Sequence, residues 1–205
     1  MIDEGYIKFD IDWTQTGPIC LAEVDELNRW REPLMAAGLI GHYDDLGIGY
    51  GNISVRLAHG RGFIISGTQT GHIVHASGEH YALVTGFDIG ANRIECQGSV
   101  KASSESLTHA AIYAADPGIN AVVHVHQPRL WSELRGALPA TDPRVAYGTP
   151  AMALELERLC RDPEFRKSGI AVMAGHESGL IAVGPTLADA ATRILELNAE
   201  SGAAG

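Results

Sequence analysis

The sequence predicts one α/β or α+β domain in which helices cover a sheet, and three observations carry that expectation. Short runs of β-branched and apolar residues alternate with segments of helical periodicity. The 205 residues, 45% of them hydrophobic and 20% charged, suffice for one sizeable core. No internal repeat, long linker or apolar run of membrane-spanning length interrupts the chain.

A first helix is predicted from near Pro18 through ICLAEVDELNRWREPLMAA, where apolar residues recur at helical spacing and Gly38 is a stop. Pro33 falls inside it, at a point where a proline can kink or break a helix. The glycine-crowded stretch GHYDDLGIGYGNISVR follows, and then four short strands over Ile53–Leu57, Gly62–Ile65, Tyr81–Phe87 and Arg93–Gln97. SSESLTHAAIYAA reads as a helix starting near Ser103 or Ser104 and ended by Asp116-Pro117-Gly118. Ile119–His126 is the clearest strand. Ala151–Cys160 and Pro185–Glu200 read as helices, and Gly169–Ala174 and Leu180–Val183 as strands.

A net charge of −10 argues against a general binder of nucleic acid or anionic membrane, but leaves room for a local anion pocket. The N-terminus, MIDEGYIKFDIDW, lacks the basic and apolar regions of a signal peptide. Three scattered cysteines, Cys20, Cys96 and Cys160, form neither a disulfide framework nor a CxxC zinc motif, so a reduced, cytoplasmic setting is expected.

The strand AVVHVHQP carries the first chemical signal. Successive strand residues alternate faces, so His124 and His126 project together while Val123 and Val125 point to a core on the opposite side. Two imidazoles so placed can grip one ion; an HxH alone is equally consistent with two histidines hydrogen-bonded at a sheet edge. Further ligand candidates are few. His176, in MAGHESG, follows another strand, and Gly175 and Gly179 imply a tight turn there. Glu105 sits in the first turn of the helix preceding the HxH strand, where the helix dipole favours a carboxylate whether it serves as cap or as ligand. His109, four residues on, shares its helix face and suits a supporting or packing role.

Three segments rich in small residues precede the pair: Gly51-Asn52-Ile53-Ser54, Thr68-Gln69-Thr70-Gly71 and Ser103-Ser104-Glu105. Glycine lets backbone N–H groups approach a ligand closely, and serines at a helix start offer hydroxyls beside free N–H groups, a seat for a phosphate. Each is equally a turn or a cap when taken alone.

Taken in order, GNISVR, FIISGTQTG, SSESLTHAAIY, INAVVHVHQP and GHESGLIAVG resemble the class II aldolase/adducin family, over roughly Ala37 to Glu200. The resemblance implies a single three-layer α/β/α domain with a central, mostly antiparallel sheet, here spanning residues 1–205 with 1–17 as an N-terminal extension. It implies Zn2+, or Mn2+, Co2+ or Fe2+ in its place, held by His124, His126 and His176, with Glu105 as catalytic acid/base able to approach the metal. It places the phosphate of a sugar-phosphate substrate on Asn52, Thr70, Gly71, Ser103 and Ser104, and implies a homotetramer with active sites between subunits. No organic cofactor, nucleic acid or membrane partner is implied.

The sequence departs from the family pattern in three places. SGTQTG is longer than the usual turn, so Ser66-Gly67 competes with Thr70-Gly71. GHESG carries extra residues after its histidine. The segment between Trp131 and Ala151 is short, and Tyr147, its one tyrosine, is given no role as proton donor. The expected activity is metal-dependent aldol cleavage of a small, phosphorylated ketose through a metal-stabilised enediolate. Epimerisation, dehydration and a non-catalytic adducin-like module are the alternatives.

Overall fold

The computed structural model of the protein describes residues 5–58 and 62–203. Its elements run β1 (Asp10–Gln15), α1 (Glu23–Ala36), β2 (Gly41–Tyr43), β3 (Ile48–Tyr50), β4 (Asn52–Arg56), β5 (Phe63–Ser66), β6 (Tyr81–Asp88), β7 (Arg93–Gly98), α2 (Ser106–Ala115), β8 (Ala121–His126), α3 (Pro128–Leu134), α4 (Pro150–Leu159), α5 (Pro163–Ser168), β9 (Ile170–Val172), β10 (Gly179–Gly184) and α6 (Leu187–Ala203). Eight strands form one sheet in the order β1-β7-β6-β5-β4-β8-β10-β9. Every neighbouring pair is antiparallel except β1 with β7. The small hairpin β2–β3 stands apart.

The sheet divides two apolar layers. Val122 on β8 packs in one, with Leu107 and Ile112 of α2 and Met152 and Leu156 of α4. Val123 and Val125 pack in the other, with Leu27 and Leu34 of α1 and Leu187 and Ile194 of α6. This is the three-layer α/β/α arrangement with a mostly antiparallel sheet. β8 is buried along its whole length, as befits a central strand flanked by β4 and β10. α2 is buried from Ser106 to Tyr113 because the sheet covers one side and α4 another.

Local chemistry fixes several boundaries. α1 continues through Pro33 and ends before Gly38, which takes the left-handed φ of 69°. α4 starts with Pro150 at its first turn, and the Thr149 side chain accepts from the Met152 N–H. Within the segment expected as an N-terminal extension, Asp10–Gln15 forms the parallel edge strand β1. Among the described residues, no helix is long and apolar enough to cross a membrane.

Candidate metal centre and anion recess

Three structural elements converge on the face of β8 that carries Val122. β8 supplies His124 and His126 from alternate positions, and their ring centroids are 5.0 Å apart. His176 comes from the turn between β9 and β10. There the His176 N–H donates to the Met173 oxygen (2.9 Å), and the Gly179 N–H donates to the His176 oxygen (2.9 Å). The turn has no room for a side chain at Gly175, where a Cβ would lie 2.0 Å from the Val145 oxygen. It brings His176 to ring distances of 5.0 Å from His124 and 4.7 Å from His126.

One ligand-type nitrogen from each of His124, His126 and His176 lies within 4.8 Å of the others, and all three residues are buried. Such a nitrogen set fits a divalent ion of zinc type. The His124 ring is oriented by its Nδ1–H, which donates to the Leu180 oxygen at 3.0 Å. A carbonyl only accepts, so Nε2 keeps its lone pair for the centre.

Glu105 is the third contribution. It occupies the N-cap position of α2, yet its side chain makes no capping hydrogen bond. Its carboxylate instead reaches into the cluster: Oε2 is 3.3 Å from His124 Nε2, and Oε1 is 3.2 Å from His176 Nδ1. Burial opposes the charge on Glu105, but the facing His124 and His176, the latter also hydrogen-bonded to it, outweigh burial and hold the carboxyl down at about 2. His126 is pushed well below the ordinary histidine value, first by burial and then by His176 and His124. His109 lies beneath, its Nδ1 2.7 Å from Ser54 Oγ, which is also 2.7 Å from the Tyr113 hydroxyl. Burial drives its pKa down to about 3, so it sits neutral in a packed polar chain.

The three segments of small residues come together as one recess, lined by Asn52, Gly67 to Gly71, Ser103 and Ser104 together with Gly5, Gly49 and Gly51. None of these lining residues is charged. The loop is anchored from behind by the buried Arg31, which donates to the Thr70 oxygen (2.7 Å) and the Ile73 oxygen (2.5 Å). Close packing of this loop on the β2–β3 hairpin requires Gly71, since a Cβ there would lie 1.9 Å from the Gly41 oxygen. The Thr70 hydroxyl donates to the Gly67 oxygen (2.8 Å). Both halves of SGTQTG thus reach the recess, Gly67 from one and Thr70-Gly71 from the other, with Thr68 and Gln69 between them. Gln69 adopts a left-handed φ of 59°, its side chain accepting from the Gly49 N–H and donating to the Gly5 oxygen.

Recess and centre adjoin twice: Ser104 precedes Glu105, and Asn52 is the register partner of His124. The structure therefore gathers every predicted site residue into two contiguous groups. Tyr147 stacks on the His176 ring (4.6 Å, 22°), and its hydroxyl accepts from the Tyr6 N–H at 3.2 Å. Two neighbours escaped sequence reasoning: Tyr43, whose hydroxyl is 3.1 Å from His126 Nδ1, and Tyr50, stacked on the His126 ring. The signal for them was present in YDDLGIGY, two aromatic residues flanking an Asp-Asp-x-Gly turn.

A three-layer sheet fold thus carries a buried three-histidine cluster able to hold a metal ion, a carboxylate against it and an uncharged small-residue recess beside it. The sequence model described as "Class II Aldolase and Adducin N-terminal domain" matches residues 35–200, and the chain belongs to that family. Three solved structures show the same fold. The sugar-phosphate aldolase from Thermotoga maritima has a TM-score of 0.68 and 18% identity, covering 88% of this chain and 92% of that one. YgbL from Escherichia coli, described as "a putative aldolase/epimerase/decarboxylase", has a TM-score of 0.66 and 22% identity, covering 89% and 87%. L-fuculose-1-phosphate aldolase from Thermus thermophilus has a TM-score of 0.59 and 22% identity, covering 88% and 91%. At these identities the likeness concerns the fold.

Proposed function

We propose that the chain is a metal-dependent aldolase, a carbon–carbon lyase that cleaves a small phosphorylated ketose by a retro-aldol reaction. The observation that carries this reading is the Glu105 carboxylate, buried and uncapped, 3.2–3.3 Å from two imidazoles of a three-histidine cluster. A structural zinc site would use four protein ligands, commonly cysteine, and would have no use for an adjoining recess. In this reading His124, His126 and His176 hold the ion, which supplies positive charge where the substrate carbonyl oxygen becomes negative.

The remaining work falls to the chain. Asn52, Thr70, Gly71, Ser103 and Ser104 seat the phosphate, so its binding energy holds the reacting carbons in place. In this reading the Glu105 carboxylate takes the proton of the hydroxyl β to the carbonyl, the adjacent carbon–carbon bond breaks and an aldehyde departs, and Glu105 returns that proton to the carbon of the enediolate left behind. The reading extends to a homotetramer in a reduced, cytoplasmic setting; the free thiols of Cys20, Cys96 and Cys160 support the latter.

Metal analysis of purified protein, with product analysis on a panel of ketose phosphates, tests the proposal. One equivalent of a divalent metal and two carbon fragments are expected. A stereoisomer or a dehydrated diketone in place of the fragments makes it an epimerase or a dehydratase. Protein that takes up no divalent metal overturns the reading.

A further inference from the structure

The hairpin β2–β3 is short, polar at its tip and separate from the main sheet, yet it reaches the cluster. Its register pairs Gly41 with Tyr50 and Tyr43 with Ile48. The turn is closed on Tyr43 itself, whose carbonyl accepts from the Leu46 N–H (3.0 Å) and the Gly47 N–H (2.9 Å). The backbone of Tyr43 is thereby pinned, and its ring packs on that of Tyr50 at 4.5 Å. From this platform the Tyr43 hydroxyl comes to 3.1 Å from Nδ1 of His126. The His126 N–H donates to the Leu39 oxygen (3.0 Å), just before the hairpin, so one segment holds both the backbone and the ring of this histidine.

An imidazole that gives its Nε2 lone pair to an ion must keep its proton on Nδ1, and that proton needs an acceptor. For His124 the acceptor is the Leu180 carbonyl. For His126 the atom in that place is the phenol oxygen of Tyr43. We propose that Tyr43 is a positioning residue for the metal centre: its oxygen accepts the Nδ1–H of His126 and so turns Nε2 toward the gap shared with His124 and His176. The inference rests on reading the histidine cluster as a metal site. It makes the hairpin part of that site, tied also to the recess through the Gly49 N–H and Gln69.

The test is a titration of metal-free protein with Co2+ against a competing chelator, read from the visible d–d bands, on the parent chain, Y43F and Y81F. Y43F keeps the ring and its packing and removes only the oxygen. Y81F removes a buried hydroxyl of similar kind that donates to Asn28 Oδ1 (2.7 Å), away from the cluster. Y43F should bind Co2+ about 10–100-fold more weakly, with altered d–d bands. Its melting temperature without metal should stay close to the parent's. Y81F should melt lower and bind Co2+ like the parent. If Y43F binds Co2+ as tightly as the parent, or Y81F weakens binding as much as Y43F, the role of Tyr43 is overturned. Failure of the parent itself to take up Co2+ overturns the metal reading, and this inference with it.

Discussion

Glu105 and His124 face each other across 3.3 Å, carboxylate Oε2 to imidazole Nε2, both buried. The contact exists because the N-cap of α2 and the central strand β8 meet at one point on the sheet. A carboxylate in the N-cap position ordinarily satisfies the helix's own N–H groups. Glu105 leaves that task undone and directs its charge at the cluster.

Glu105→Gln preserves shape and removes the charge. Loss of general acid/base catalysis predicts a fall in turnover of roughly 10²–10⁴-fold. Metal content, measured on the same preparation, should stay near that of the parent. A variant with near-normal rates would place the proton-carrying group elsewhere.

Gly175→Ala tests the His176 turn. Its Cβ would meet the Val145 oxygen at 2.0 Å, so the turn must shift and carry His176 with it. Weaker metal binding is expected, with His124 and His126 still in place. Unchanged affinity would mean that the turn absorbs the methyl without moving the ring.

Arg31 is buried while donating to two carbonyls of the recess loop. Arg31→Met leaves the Thr70 oxygen with the Ile73 N–H (3.0 Å) but takes the arginine donor from the Ile73 oxygen, at a cost of about 1–3 kcal/mol for an acceptor left unsatisfied. Denaturant melts should show the loss, and KM for a phosphorylated substrate should rise more than kcat falls. Equal effects on a substrate lacking the phosphate would detach the loop from phosphate binding.

Acid should destabilise the protein in two stages. His109 has its pKa lowered by burial from 6.5 to about 3, so the unfolded chain binds that proton first. Its contribution to stability is complete above pH 6.5 and is lost as pH falls toward 3. Glu105 is lowered from 4.5 to about 2, and its contribution is lost across that lower window. Melting temperatures recorded between pH 8 and pH 5 should decline, and His109→Asn should flatten that decline. A flat profile in the parent would contradict the buried neutral state of His109.

The sequence made legible those parts of the site that rest on short-range rules. Alternation along AVVHVH put both histidines on one face, and the structure places Val123 and Val125 in the opposite core. The glycines around His176 announced its turn, and the small residues of three segments announced the recess. Elements with little periodicity were not legible. β2 and β3 have three residues each, too few for strand periodicity, so only the Asp-Asp-x-Gly turn between Tyr43 and Tyr50 marks the hairpin, and nothing local marks its approach to His126. β1 does alternate, with Ile11 and Trp13 turned inward beside Phe9 and polar residues between them, but it is a short edge strand with two carboxylates, and its parallel pairing with β7 joins residues far apart in the chain. The seven-residue α3 and six-residue α5 are too short to show a helical face. Sheet order depends on contacts between distant residues and is written in no local window.

The double junction of recess and centre, through Ser104-Glu105 on the chain and Asn52 opposite His124 in the ladder, acts as a caliper. Covalent geometry and one rung of the sheet set its opening on the Ser104 and Asn52 side, and the Gly67–Gly71 loop closes the other side. Under the proposed function, a guest gripped at both jaws would be sorted by how many carbons separate its anionic end from its carbonyl. Homologues one carbon too short or too long should still dock by one end, and turn over more slowly.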